Sequence, residues 1–424
     1  MMKTEIIDYF QMLTKIPHCS KMADNLLTYL EDFGTARGYS VEIDQAKNIL
    51  ITKGNPKLAL QAHYDMVCMG KAPHIETYIK EGWMYAKGSS LGADNGMAIA
   101  MMMVLMERGE DLEFLLTADE EVGLIGASAL DFDLKSAYML NLDFEDEAQV
   151  CIGCAGGLDI VATKQFEKTY PLVYFYEVRV NDLPGGHSGV DIDKGIPNAI
   201  KVLAEYLHGQ DIVIASFHGG EKANAIPADA LAIVSSDFPL EDTEMVKVKE
   251  LDVRIKVYDM MNHLTRLINN FTNGVLSYND ELSLPDTSIN LGILNYVEGK
   301  VELTASARAM SAKGLKQIEQ EYQKFFEVFE FETTITEKYP SWKPEVNAFT
   351  KEVHDAMMEV YHESAYKAIH AGLECGVISK RYPTIQFASI GPTIVNPHST
   401  RERVNLDSVG KIFKVVEAVI RKVN

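Results

Sequence analysis

The chain has 424 residues, 47% of them hydrophobic, enough for a large core and more than one domain. Its 61 acidic and 40 basic residues give a formal net charge of -21, which disfavours nucleic acid and anionic membrane as partners. It has no run of eighteen apolar residues for a transmembrane helix, and its first residues lack the apolar centre of a signal peptide.

The opening stretch "MMKTEIIDYFQMLTKIPHCSK" spaces Ile6, Phe10 and Leu13 as one face of an amphipathic helix. A helix over 22–36 follows, then strands near 40–44 and 57–62. A helical pattern starts at Asp94 and runs through "NGMAIAMMMVLMERG", where Met101 to Met103 read as core filling. A strand over 113–118, a short helix over 123–130 and a strand over 138–142 complete the segment. This alternation predicts an α/β sheet covered on both faces.

Near residues 167–172 the texture changes. "YPLVYFYEVRV" reads as an aromatic strand, and "NDLPGGHSGVDIDKG" as a glycine-rich turn before the helix of "IPNAIKVLAEYLHG". Strands near 211–217 and 229–237, a long helix around 243–271, a strand pair over 287–309, a helix over 314–330 and a strand over 331–337 follow. "EKYPSWKPEVN" carries two prolines and reads as a return linker. The last segment ends in the amphipathic helix of "LDSVGKIFKVVEAVIRKV". The expected organisation is a catalytic domain of 1–168 and 346–424, with a second domain of 169–345 inserted into it.

The five cysteines, Cys19, Cys68, Cys151, Cys154 and Cys375, are an odd and scattered set that fits a reducing cytoplasm. Cys151 and Cys154 form a lone "CIGC" with no second pair, and read as small buried residues beside "AGG".

Polar residues recur where apolar strands end. "LALQAHYDMV" ends in His63 and Asp65, which face the same side of a strand. "LGADNG" sets Asp94 at a helix start, "TADEEVG" supplies Glu120 and Glu121, "YMLNLDFEDE" supplies Asp143, and "IVNPHST" supplies His398. Strand ends of an α/β sheet converge on one edge, where ligands bind. Taken singly, each motif has an ordinary reading, as a hydrogen-bonded turn or a solvated helix start. Together, two imidazoles and several carboxylates suit Zn²⁺, Mn²⁺ or Co²⁺. Two cations would let adjacent acids share one place, and one carboxylate shared between two metals is a usual arrangement for hydrolysis.

The ordered motifs "HYDMV", "GSSLGADNG", "LLTADEEVGLIGA", "NLDFEDE", "IGCAGG", "GGHSGVDI", "NAIP", "AIHAGLECG" and "GPTIVNPHSTRERVNL" resemble the aminoacyl-histidine dipeptidases. These Xaa-His, carnosinase-like enzymes are a branch of the di-zinc aminopeptidase, carboxypeptidase and aminoacylase superfamily. The resemblance runs nearly end to end and is weak over 238–285. It implies a di-zinc-peptidase-like catalytic domain with a central mixed sheet flanked by helices, plus an inserted α+β lid and dimerisation domain. It also implies a homodimer acting on a small peptide with two divalent metal ions, zinc first, with manganese or cobalt also accepted; the cytoplasmic location is expected from the cysteines and the lack of a signal peptide.

The roles it implies fall on named residues. His63, Asp94, Glu121, Asp143 and His398 are metal ligands, with Asp94 bridging, His63 and Asp143 on one ion, and Glu121 and His398 on the other. Asp65 orients His63, Glu120 is the general base, and His187 in "GGHSG" steadies the oxyanion. Asn224 and Arg308 grip the substrate's C-terminal end, and Gly372 and Glu374 line the pocket. Two departures stand out: Ser89 and Ser90 lie where threonines are common, and the chain is short for this branch, which bears on substrate choice. The implied reaction is hydrolysis of dipeptides. Its alternatives are a related amidohydrolase (aminoacylase, carboxypeptidase or tripeptidase) or a non-catalytic metal- or peptide-binding homologue.

Overall fold

A computed structural model describes residues 2–423 other than 168, 173–174, 254 and 259–262. They form two compact units, one of residues 1–154, 342–368 and 373–424, the other of 155–341 and 369–372.

The first unit is built on an eight-stranded sheet in the order Ser40–Ile43, Ile49–Thr52, Glu113–Thr117, Leu58–His63, Tyr138–Asn141, Gln386–Ser389, Gln149–Cys154 and Ala365–Ile369. Its four central strands run parallel. Register fixes their ends together, with His63 opposite Thr117, Gln61 opposite Asn141, and Ser389 opposite Asn141. Every residue of Leu58–His63 and Glu113–Thr117 is buried, as expected of strands covered on both faces.

The helix Ala93–Glu107 is apolar all round and almost wholly buried, Met101 to Met103 included, so it is a core element. Ile6, Phe10 and Leu13 of Met2–Leu13 and the apolar face of Leu406–Val423 join the same core. A four-stranded sheet of Ile394–Val395, Arg403–Asn405, Trp83–Ala86 and Thr77–Lys80 holds the loop that carries His398.

The second unit is an antiparallel sheet in which Leu284–Val297 and Lys300–Ala309 form the central hairpin. Gly156–Gln165 and Glu332–Tyr339 extend it on one side, and Ile212–Gly219, Ala230–Ser236, Phe175–Val180 and Lys247–Leu251 on the other. One face buries Leu158, Ile160, Leu303, Ala305 and Ala307 with residues of Ala199–Leu207, His263–Asn270 and Ala312–Val328. The alternate positions Ser288, Asn290, Ser306 and Arg308 are polar yet also buried.

Two expectations need correction. The long helix around 243–271 is not formed: Lys247–Leu251 and Ile255–Tyr258 are strands, and only His263–Asn270 is helical. The stretch "VKVKELDVRIKVY" alternates valine and isoleucine with charge, a two-residue period that buries Val246 and Val257. Residues 254 and 259–262 of that predicted helix, and 173–174 of the predicted aromatic strand, lie outside the described residues. The cysteines are also not all separate. Cys19 and Cys68 form a disulfide, Cα to Cα 5.5 Å, because the segment at Cys19 pairs alongside Met66. Cys151, Cys154 and Cys375 are buried and lie outside that disulfide.

Candidate active site

The first unit gathers His63, Asp94, Glu121, Asp143 and His398 at one edge of its sheet. His63 ends a central strand, and Asp143 follows the neighbouring strand Tyr138–Asn141 by two residues. The strand ending at Thr117 turns sharply at Asp119, whose φ is 53°, into the single 3-10 turn Glu120–Val122. Asp94 lies at the start of the helix Ala93–Glu107, and His398 at the tip between Ile394–Val395 and Arg403–Asn405.

Asp94 is at the centre. Its Oδ1 lies 3.1 Å from His63 Nε2 and its Oδ2 3.0 Å from His398 Nε2. His63 Nε2 is also 3.3 Å from Asp143 Oδ1, and His398 Nε2 is 2.8 Å from Glu121 Oε2. Each oxygen of Asp94 therefore faces a different imidazole and a different second carboxylate. One ligating atom from each of His63, Asp94 and Glu121 falls within 4.8 Å of the others.

Burial pushes the carboxyls of Glu120 and Glu121 up, and that of Asp143 up to about 6. Neighbouring carboxylates add to each shift, because like charges resist joint ionisation. Burial acts on Asp94 in the same sense, but hydrogen bonds from His398 and His63 prevail and hold it well below its usual range. Partial desolvation would lower His398, whose side chain is still 43% exposed, yet Asp94 and Glu121 push it up to about 12.

The carboxylates of Asp94, Glu120, Glu121 and Asp143 still outnumber the two imidazoles, and the buried Oε1 of Glu121 has no hydrogen-bond partner. Oxygen and nitrogen donors around an uncompensated negative site fit divalent cations of the Zn²⁺, Mn²⁺ and Co²⁺ kind. Such cations would let adjacent acids share the end of a core strand.

Asp65 works through two different groups. His63 donates from Nδ1 to the backbone carbonyl of Asp65 at 3.0 Å, while the Asp65 carboxylate is 3.6 Å away and too distant for a hydrogen bond. A carbonyl only accepts, so Nδ1 carries a proton, and Nε2, which meets Asp94 and Asp143, is the nitrogen that could give up its proton and turn a lone pair to a cation. The carboxylate instead accepts the N–H of Glu120 at 2.9 Å and of Glu121 at 3.4 Å.

Glu374 is fully buried, accepts from Gln61 Nε2 at 2.5 Å and Thr117 Oγ1 at 2.7 Å, and leaves Oε1 without a partner. Burial pushes its carboxyl up to about 7.

In the second unit, the short strands Gly186–His187 and Ala225–Ile226 set His187 beside Asn224, whose carbonyl accepts the Ser188 N–H at 2.9 Å. His187 Nδ1 accepts the N–H groups of Gly189 and Val190 at 3.1 and 3.2 Å. Its proton therefore sits on Nε2, which makes that atom a donor. Arg308 is buried, donates from one terminal nitrogen to Tyr339 Oη at 2.7 Å, and has no partner for Nε.

The Tyr339 ring fits because positions 157 and 372 are glycines: a Cβ at Gly372 would sit 2.8 Å from its Cε2, and one at Gly157 2.5 Å from Oη. Gly189 likewise lies against His187, Arg308 and the His370 carbonyl. His370 Nε2 and Ser288 Oγ are 2.7 Å apart, and burial, then the Arg308 charge, hold His370 down at about 3. Tyr339 and His370 were missed in the sequence. One lies in the linker "EKYPSWKPEVN", and the other lies within the motif "AIHAGLECG" but was given no role.

Comparison with known proteins agrees in kind. The family model of Peptidase family M20/M25/M40 matches residues 59–422. The cytosol non-specific dipeptidase of Escherichia coli (strain K12) is 30% identical over 470 aligned residues, 98% of this chain and 97% of that one. The crystal structure of aminoacylhistidine dipeptidase from Vibrio alginolyticus superposes with a TM-score of 0.77 at 31% identity, covering 99% of this chain and 96% of that one. A more distant structure shares the fold, the Bacillus subtilis YXEP protein, described as a dinuclear metal binding peptidase. It has a TM-score of 0.52 and 11% identity, over 100% of this chain and 98% of that one.

Proposed function

Because the chain belongs to peptidase family M20/M25/M40, we propose that it is a dipeptidase of broad, Xaa-His-accepting specificity that works with two divalent cations. Near end-to-end similarity to two enzymes named as dipeptidases supports the substrate class. The observation that carries the reading is Asp94, with one oxygen toward His63 and the other toward His398.

Asp94 would serve both cations, His63 and Asp143 would hold one with it, and Glu121 and His398 would hold the other. Zinc is the first choice. Bound cations of this kind polarise a peptide carbonyl and acidify water. Glu120 lies beside Glu121 and donates no ligand in this scheme. Its raised carboxyl suits it to take a proton from the attacking water and return it to the leaving amine. His187 donates through Nε2 to the developing oxyanion. Arg308 pairs with the substrate carboxylate, for which its fork is suited, and Asn224 assists.

The proposal includes a cytoplasmic location, in keeping with the cytosolic name of the Escherichia coli relative. It also includes a homodimer formed through the second unit. Among the described residues no helix is long and apolar enough to cross a membrane.

The test is turnover on a panel of dipeptides, tripeptides and N-acyl amino acids, with metal content measured on the same sample. Dipeptide hydrolysis that chelation removes and Zn²⁺, Mn²⁺ or Co²⁺ restores is expected. Two bound cations with no turnover would leave a binding protein, and faster cleavage of tripeptides or N-acyl amino acids would move the specificity.

A further inference from the structure

Glu402 lies in an Arg-Glu-Arg run that reads as surface charge, yet its side chain is only 3% exposed. It forms no ion pair among the described residues. Its carboxylate points inward to the backbone just before Asp94. Oε2 accepts the N–H groups of Leu91 at 2.7 Å and Gly92 at 3.0 Å, and Oε1 those of Ala93 at 2.8 Å and Asp94 at 3.4 Å. Leu91 and Gly92 lead into the helix Ala93–Glu107 and Ala93 and Asp94 open it, with Asp94 itself off helical backbone angles, so part of the role is to cap that helix entry.

A cap can come from many places. This one comes from the loop that carries His398. Glu402 follows His398 by four residues and directly precedes Arg403–Asn405, which pairs back onto Ile394–Val395. The loop between those strands is internally tied, with the Ser399 hydroxyl on the Asn396 carbonyl at 2.8 Å, the Arg401 N–H on that hydroxyl at 3.1 Å, and the Glu402 N–H on the Ser399 carbonyl at 3.2 Å. A stiff loop with His398 at its tip is thus bolted at its base to the turn that presents Asp94. The two meet again where His398 Nε2 comes within 3.0 Å of Asp94 Oδ2.

From this geometry we infer that Glu402 is a positioning residue for the metal pair: it sets the separation of Asp94 and His398, and so the affinity and geometry of the cation they share. The inference rests on the dinuclear reading above. A carboxylate suits this task because its two oxygens accept from four converging donors at once. A glutamine turns an NH₂ group toward two of those donors.

The test is a titration of the metal-free chain with Co²⁺ and with Zn²⁺ alone, in competition with a chelator, for wild type and E402Q. Far-UV circular dichroism and the melting of the metal-free proteins are recorded alongside. Outer-shell partners of metal ligands typically change affinity ~10–100-fold. E402Q is expected to bind one cation as wild type does, to bind the second ~10–100-fold more weakly, and to change the visible spectrum of the Co²⁺ form. A simple cap would lower the melting temperature and leave stoichiometry, affinity and spectrum alone, and that result overturns the inference. If E402Q does not fold, E402D, which keeps the charge but withdraws it by one methylene, is titrated in the same way. Loss of fold in both variants assigns Glu402 to folding only and also overturns the inference. A wild-type chain that takes up fewer than two cations sinks the dinuclear reading itself, a result distinct from wild type and E402Q behaving alike.

Discussion

The carboxylate of Asp65 accepts the backbone N–H of Glu120 at 2.9 Å, while the backbone carbonyl of the same Asp65 accepts the Nδ1 proton of His63 at 3.0 Å. One residue therefore fixes a proposed metal ligand by its main chain and the proposed base by its side chain. Asp65→Asn keeps the first contact and weakens the second. It should lower kcat by ~10–100-fold, the range seen for outer-shell partners, with little change in KM or in bound metal. Steady-state kinetics at saturating cation, with metal content measured, checks this. A loss of metal equal to the loss of rate would move the role of Asp65 to the ligand side.

Glu120 carries the proton transfer in the proposed reaction. Glu120→Gln keeps the shape and the Asp65 contact, which is made by the backbone, but cannot take a proton. General acid–base catalysis contributes typically ~10²–10⁴-fold, so kcat/KM should fall by at least that range while two cations remain bound. Activity near wild type would reassign the base. The buried neighbour Glu374 is the first alternative to examine, since its carboxyl is pushed up to about 7.

Arg308 and Tyr339 form one unit, joined at 2.7 Å. If Arg308 meets the substrate carboxylate, Arg308→Lys should raise KM for a free dipeptide and leave the same dipeptide with an amidated C-terminus nearly unaffected. Charged hydrogen bonds contribute ~1.5–3 kcal/mol, so a drop of ~10–100-fold in kcat/KM is expected, because lysine cannot reproduce the fork. Tyr339→Phe should act in the same direction but more weakly, since it frees the guanidinium without removing it. Equal losses on the acid and the amide would detach Arg308 from the carboxylate.

How much of this was legible in the sequence follows from range. Apolar strands that end in His63, Glu120 or Asp143 announce themselves, because burial and a polar stop lie within a few residues of each other. The helix at Ala93–Glu107 was legible for the same reason. The stretch 243–271 was misread because valine and isoleucine among charges satisfy a helical window loosely and a strand closely. Tyr339, His370 and Glu402 were illegible for a different reason. Their partners are 31 residues away for the Tyr339–Arg308 bond, 82 for His370–Ser288 and 311 for Glu402–Leu91. No local period encodes such pairings. The disulfide of Cys19 and Cys68 belongs to the same class, with 49 residues between its ends.

His370 gives a prediction in pH. It is 3% exposed, and burial, with Arg308 beside it, holds it at about 3 against the ordinary 6.5. Above pH 6.5 it is neutral in both folded and unfolded chains and contributes no slope. Between about 6.5 and about 3 the unfolded chain takes up a proton that the folded chain refuses, so the unfolded state binds more protons and stability falls as pH falls. The slope from this one group approaches ~1.4 kcal/mol per pH unit at most. His370→Gln retains a side chain that can hydrogen-bond Ser288 and cannot titrate. It should therefore lose stability less steeply than wild type between pH 6 and pH 4, chemical denaturation of the metal-free proteins being the measurement. Parallel curves across that interval would mean that His370 is protonated in the folded chain, with room for a counter-ion that its buried place beside Arg308 does not offer.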